Sequence, residues 1–91
     1  MSSVFQDPTV ATVNIGKKGL SEEVLAEISN VLDSRGIVKV RLLKNFRDTY
    51  GYTREDVAVI LSQRLGAEVV GIRGYVIALR KKRRKLKGRG L

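Results

Sequence analysis

Neither cysteine nor histidine occurs in this chain. Without cysteine there are no disulfides, no thiolate metal ligands and no thiol nucleophiles. Without histidine there is no imidazole to act as base or ligand. Most common enzyme chemistries are closed to such a sequence. Long apolar runs are missing too: no stretch approaches the roughly 20 residues that cross a bilayer. The first residues show neither the basic start nor the apolar core of a secretion signal. The expectation is a soluble, intracellular, cytoplasmic chain with no membrane partner. At 91 residues it lies near the lower limit for one unstapled core, so a single domain with tails is expected.

Acidic residues are also in short supply, 9 against 18 basic, giving a formal charge of +9. That excess attracts polyanions, phosphate backbones above all. Its distribution is uneven. From Arg80 to Leu91 there are eight basic residues (Arg80, Lys81, Lys82, Arg83, Arg84, Lys85, Lys87, Arg89) and no acidic one, leaving ten against nine elsewhere. A nearly neutral globular part must recognise through local placement of charge, while the tail supplies long-range attraction.

Residues 1–8 lack periodicity and read as a flexible end. Residues 9–80 hold the pattern of a folded domain, and 81–91 form a basic tail. Thr9 to Ile15 is a β-branched stretch suited to a strand, running into Gly16-Lys17-Lys18-Gly19. Ser21 is a helix cap followed by Glu22 and Glu23. Val24, Leu25, Ile28, Val31 and Leu32 then keep one helical face until Gly36. Ile37 to Leu43 alternates, which turns Val38, Val40 and Leu42 inward and Lys39 and Arg41 to solvent. Asn45 to Tyr52 reads as a loop. A second helix is capped by Thr53 with Asp56 three residues on, carries Val57, Ile60, Leu61 and Leu65 inward, and ends at Gly66. Glu68 to Ile72 and Tyr75 to Arg80 read as strands of a hairpin turning at Arg73-Gly74. The order strand, helix, strand, helix, strand, strand predicts an α/β (α+β) fold, two helices packed on a small four-stranded mixed sheet.

The loop Gly16-Lys17-Lys18-Gly19 sits between a strand and a helix N-terminus, where glycines permit close backbone approach and the dipole favours an anion. A backbone phosphate suits it; an ordinary turn with solvated lysines is the plain alternative. Phe46, Tyr50 and Tyr52 could stack on bases, but aromatics in a loop between core elements pack inward more often. Tyr75 opens the last strand and Arg73 sits in the hairpin turn, positions from which both could reach nucleic acid, although a tyrosine in a strand is more often half-buried packing, and only Arg73 is taken as a site residue. Asp48, Glu55, Asp56 and Glu68 show no recognisable acid–base spacing, and capping or surface charge accounts for them.

The run from Ile15 through Gly16-Lys17-Lys18-Gly19 and Ser21-Glu22-Glu23 to Ile28 resembles the signature of CRM domains, the chloroplast RNA splicing and ribosome maturation modules. The resemblance is to stand-alone YhbY-like proteins, and it continues through Gly36 to Arg41 and Val69 to Arg80. The segment from Leu43 to Tyr52 matches poorly, no helix pattern precedes the first strand pattern, and the basic tail departs from the family. The resemblance implies a fold similar to the C-terminal domain of translation initiation factor three, with the glycine loop on an RNA-binding surface. It also implies association with pre-ribosomal particles or with group II introns.

The expectation is therefore a non-catalytic protein, with no cofactor and no small-molecule substrate, that binds structured RNA, in particular ribosomal RNA. It would serve as a ribosome-associated assembly factor or as a small ribosomal protein. Gly16, Lys17, Lys18 and Gly19 would clamp phosphates, and Lys39, Arg41 and Arg73 would extend the patch. Arg80, Lys81, Lys82, Arg83, Arg84, Lys85 and Lys87 would form a phosphate-binding arm. The rivals are a DNA-coating chromatin protein and a nuclease or RNA-modifying enzyme.

Overall fold

A computed structural model describes residues 4–82. Four strands and three helices follow in the order β1 (Thr12–Ile15), α1 (Glu22–Arg35), β2 (Ile37–Leu42), α2 (Lys44–Tyr50), α3 (Arg54–Leu65), β3 (Ala67–Arg73) and β4 (Val76–Lys81). The expected α+β class and mixed sheet stand, with one helix more than expected.

Local chemistry sets the helix limits. The Ser21 side chain accepts the Val24 amide at the start of α1. Thr53 and Asp56 exchange side-chain and backbone hydrogen bonds in a full capping box at the start of α3. Both helices stop where the sequence suggests, at Gly36 and Gly66.

The sheet order is β1-β2-β4-β3. β1 and β2 are parallel neighbours joined through α1, and β4 lies antiparallel between β2 and β3. α1 packs on β1, β2 and β4, and α3 on β3 and β4. Val13, Ile15, Val38, Val40, Leu42, Ile77 and Leu79 meet Leu25, Ile28, Leu32, Val57, Ala58 and Leu61 in one apolar core. Among the described residues, neither α1 nor α3 covers the opposite face of the sheet. Its register aligns two rows across the strands, Thr12, Lys39, Ala78 and Gly71 in one and Asn14, Arg41, Val76 and Arg73 in the next.

Three differences from the sequence reading have physical causes. The segment from Asn45 to Tyr52, expected as a loop, contains helix α2: Phe46 drives into the core and is fully buried, and Gly51 at φ 67 ends the helix in the left-handed region. β1 starts at Thr12 rather than Thr9 because the Thr9 amide and hydroxyl both donate to Asp7 Oδ1, at 2.9 and 2.7 Å, and commit these residues to a turn. Those same two hydrogen bonds hold the Asp7 carboxyl below the usual carboxylate range. The hairpin turns at Gly74-Tyr75, one residue later than expected, with Arg73 opposite Val76. Within the N-terminal end that was read as flexible, Val4–Gln6 forms a turn of 3-10 helix that packs against β4 and sets the Phe5 ring beside Gly71.

Candidate nucleic-acid interface

The glycine loop is a tight turn, closed by the Gly19 amide donating to the Gly16 carbonyl at 2.9 Å. Gly19 has φ 68 and is buried, and a Cβ there would stand 2.7 Å from Tyr50 Cζ. No other residue fits without moving that ring. The Tyr50 hydroxyl also donates to the Lys17 carbonyl at 2.9 Å. Tyr50 is thus a strut under the turn, carried on the unexpected helix α2. It continues a stack with Phe46 and Tyr52, with ring centroids 5.2 to 6.5 Å apart. Phe46 packs inward as the sequence suggested, whereas Tyr50 and Tyr52 stack beside it with their rings exposed, and Tyr50 props the candidate site.

With the carbonyls of Gly16 and Lys17 engaged inward, the turn presents two exposed lysines. Lys18 lies 3.5 Å from Glu23 in an ion pair open to water, worth little; Lys17 makes no ion pair among the described residues. Gly19→Ala should destabilise the domain by about 1–2 kcal/mol through backbone strain alone, and Tyr50→Phe by under about 1 kcal/mol. A double-mutant cycle of thermal melts with Tyr50→Ala checks the contact. The cost of the alanine at position 19 should shrink once the ring is gone.

The structure brings Lys39, Arg41 and Arg73 together. All three line a groove of about 780 Å³ on the face of the sheet away from α1 and α3. Two residues that sequence reasoning missed join them, Lys44 and Arg47 of α2, so five cations line the groove. Phe5 and Tyr75 supply rings to its wall. Arg47 Cζ lies 3.8 Å from the centre of the Tyr75 ring, a cation–π contact that ties α2 to the β3–β4 turn. Arg54 holds the same turn as well, its Nη1 donating to the Gly74 carbonyl at 2.8 Å. The glycine turn and the groove adjoin: Leu43 lines the groove, and its Cδ1 would lie 3.4 Å from a Cβ at Gly16. The clue to Arg47 lay in Lys44-Asn45-Phe46-Arg47, one helical turn ahead of Gly51, with a single apolar residue to bury.

Arg80 and Lys81 lie elsewhere. Arg80 is paired across the sheet with Ile37 and the Lys81 amide donates to the Gly36 carbonyl, so both sit at the start of β2, whereas the glycine turn and α2 stand near its end. Each also has an acid partner, Glu68 for Arg80 and Asp33 for Lys81. Lys82 lies beside them. Arg83, Arg84, Lys85 and Lys87 are outside the described residues. The four carboxylates weighed for acid–base chemistry all have structural partners: Asp48 pairs with Lys44, Glu55 with Arg54, Glu68 with Arg80, and Asp56 closes the capping box.

Known proteins resemble this chain in sequence and in fold. A Methanocaldococcus jannaschii protein named "Probable RNA-binding protein MJ0652" is 37% identical over 68 residues, 71% of this chain. The match spans 46% of that protein, so the chain accounts for about half of its relative's length. The solution structure of the hypothetical protein SAV1595 from Staphylococcus aureus, described as a candidate RNA-binding protein, superposes with a TM-score of 0.62 at 25% identity. It covers 88% of this chain and 76% of that one. The sequence profile of the CRS1 / YhbY (CRM) domain matches residues 7–89, which takes in the glycine turn, its supporting helix and every cation of the groove. This chain belongs to the CRS1/YhbY (CRM) domain family.

Proposed function

We propose that the chain binds RNA, and specifically ribosomal RNA. In this reading it acts in the cytoplasm, either as an assembly factor on a ribosomal subunit precursor or as a small component of a subunit, and catalyses no reaction. The observation that carries the reading is the glycine turn. Its backbone is locked by Tyr50 and Gly19 and offers Lys17 and Lys18 outward at the start of α1, so it can receive a phosphate with little loss of conformational freedom. The arginine-rich groove next to it extends the electropositive surface. Family membership and the designations of the two relatives support RNA as the polyanion.

Lys17→Ala with Lys18→Ala tests the turn. Every phosphate the variant no longer neutralises should lower the slope of log affinity against log salt by roughly 0.7–0.9, so structured RNA should bind about ten-fold or more weakly near 0.1 M salt. The melting temperature should hardly move, because both side chains are exposed. An unchanged dissociation constant at matched salt removes the turn from the interface. Competition between structured RNA and duplex DNA decides against a chromatin role if RNA wins. Sedimentation of the native protein in a lysate gradient tests the ribosomal part, which fails if the protein stays in the soluble fraction or follows chromosomal DNA.

A further inference from the structure

Beyond backbone binding, the groove has features that a phosphate clamp does not require. Of its cations, Arg41, Arg47 and Arg73 form no ion pair among the described residues, although Arg54, Arg64 and Arg80 elsewhere on the surface are each matched by a glutamate. Arg47 is held by the Tyr75 ring instead of by a carboxylate, and its Nε is buried without a hydrogen-bond partner. Tyr75 is 49% exposed although it lines the groove. A half-exposed ring fixed on one side by a guanidinium, in a turn anchored by Arg54, is a rigid surface on which a flat group can stack at small entropic cost.

We infer that the groove takes unpaired nucleotides, with a base extending the Arg47–Tyr75 stack and the adjoining phosphates meeting Arg41 and Arg73. Bases inside a duplex stack on one another and have no face to offer, so the ligand is a single-stranded segment. Since Leu43 lines the groove and also lies against Gly16, the turn and the groove are close enough to engage one RNA at once. The turn holds backbone, and the strand that leaves the pairing enters the groove. The preferred target is then a junction between a helix and an unpaired stretch, such as a bulge or loop flank. This rests on the RNA-binding reading above and narrows it to a shape of RNA.

The test compares a blunt RNA hairpin, the same hairpin with a three-nucleotide overhang containing 2-aminopurine, and the hairpin with an abasic overhang. The full chain is the titrant, at one salt concentration. The base-bearing overhang should raise affinity about ten-fold, the range expected for stacking of a base on an aromatic side chain, and 2-aminopurine fluorescence should be quenched on binding. Tyr75→Leu should abolish both effects, so that the base-bearing and abasic overhangs bind alike and no quenching is seen, whereas Tyr75→Phe should keep them. Should the leucine variant melt early, Arg41→Gln with Arg73→Gln is the second probe: it should weaken binding of base-bearing and abasic overhangs alike. Lys17→Ala with Lys18→Ala should lower all three hairpins by a common factor. If the abasic overhang gives the same gain, or if Tyr75→Leu preserves gain and quenching, the groove stacks no base and the inference falls. A wild-type protein that ignores the blunt hairpin yet shows the Tyr75-dependent gain would overturn the clamp and leave the groove standing.

Discussion

Cutting the chain after Lys82 should produce the largest loss of RNA affinity of any single change. Residues 83–91 carry five cations and no acid (Arg83, Arg84, Lys85, Lys87, Arg89), and their removal leaves 13 basic residues against 9 acidic. If each contacts a phosphate, the slope of log affinity against log salt falls by roughly 3.5–4.5, and affinity near 0.1 M salt falls by roughly two to four orders of magnitude. The cut belongs after Lys82 because Lys81 is part of β4: its amide donates to the Gly36 carbonyl and its Nζ lies 3.2 Å from Asp33. A truncation placed earlier would remove a rung of the sheet and confuse reduced stability with reduced charge. Selectivity between cognate and non-cognate structured RNA should survive, because the turn and the groove remain. Titrations at three or more salt concentrations measure both quantities. A slope that does not change makes the tail a solvated end, and a slope that stays while selectivity vanishes reverses the division of labour.

Phe46→Ala should have the largest effect on stability. The ring is fully buried, stacks against Tyr50 and Tyr52, and is the buried residue by which α2 joins the core. Truncating a buried phenylalanine costs about 3–5 kcal/mol, a large part of the roughly 5–15 kcal/mol available to a domain of this size. The melting temperature should fall by roughly 15–25 °C. Loosening α2 also frees Tyr50 from the glycine turn and Arg47 from Tyr75, so at a temperature where the variant is still folded it should bind RNA more weakly than its exposed charges predict. Phe46→Leu should recover most of both losses. Thermal denaturation by circular dichroism, paired with RNA titration well below the transition, checks this. A melting point within a few degrees of wild type would show that α2 is not anchored through this ring.

Much of the architecture is visible in the residues because it depends on neighbours a few positions apart. Ser21 and Thr53 cap helices within one turn, the alternation of Val38, Lys39, Val40 and Arg41 divides two faces of one strand, and Gly36 and Gly66 stop what precedes them. The glycine turn and its lysines were recognisable for the same reason. Helix α2 was hidden because seven residues with one buried apolar side chain show no helical period, and its anchor is the core itself.

What the residues determined alone is the order of the four strands and the two longer helices, the limits of those helices, the apolar faces of α1 and β2 and the concentration of positive charge at one end of the chain. Tertiary structure decided which cations work together. Placing β4 between β2 and β3 sets Arg73 in the same row as Arg41, and α2 adds Lys44 and Arg47 to them, while Arg80 and Lys81, adjoining the tail in sequence, go to the far end of β2 with acidic partners. Tyr50 reaches Lys17 across 33 residues. Such contacts depend on strand order and register, which are fixed by how the whole core closes, and no local period records them.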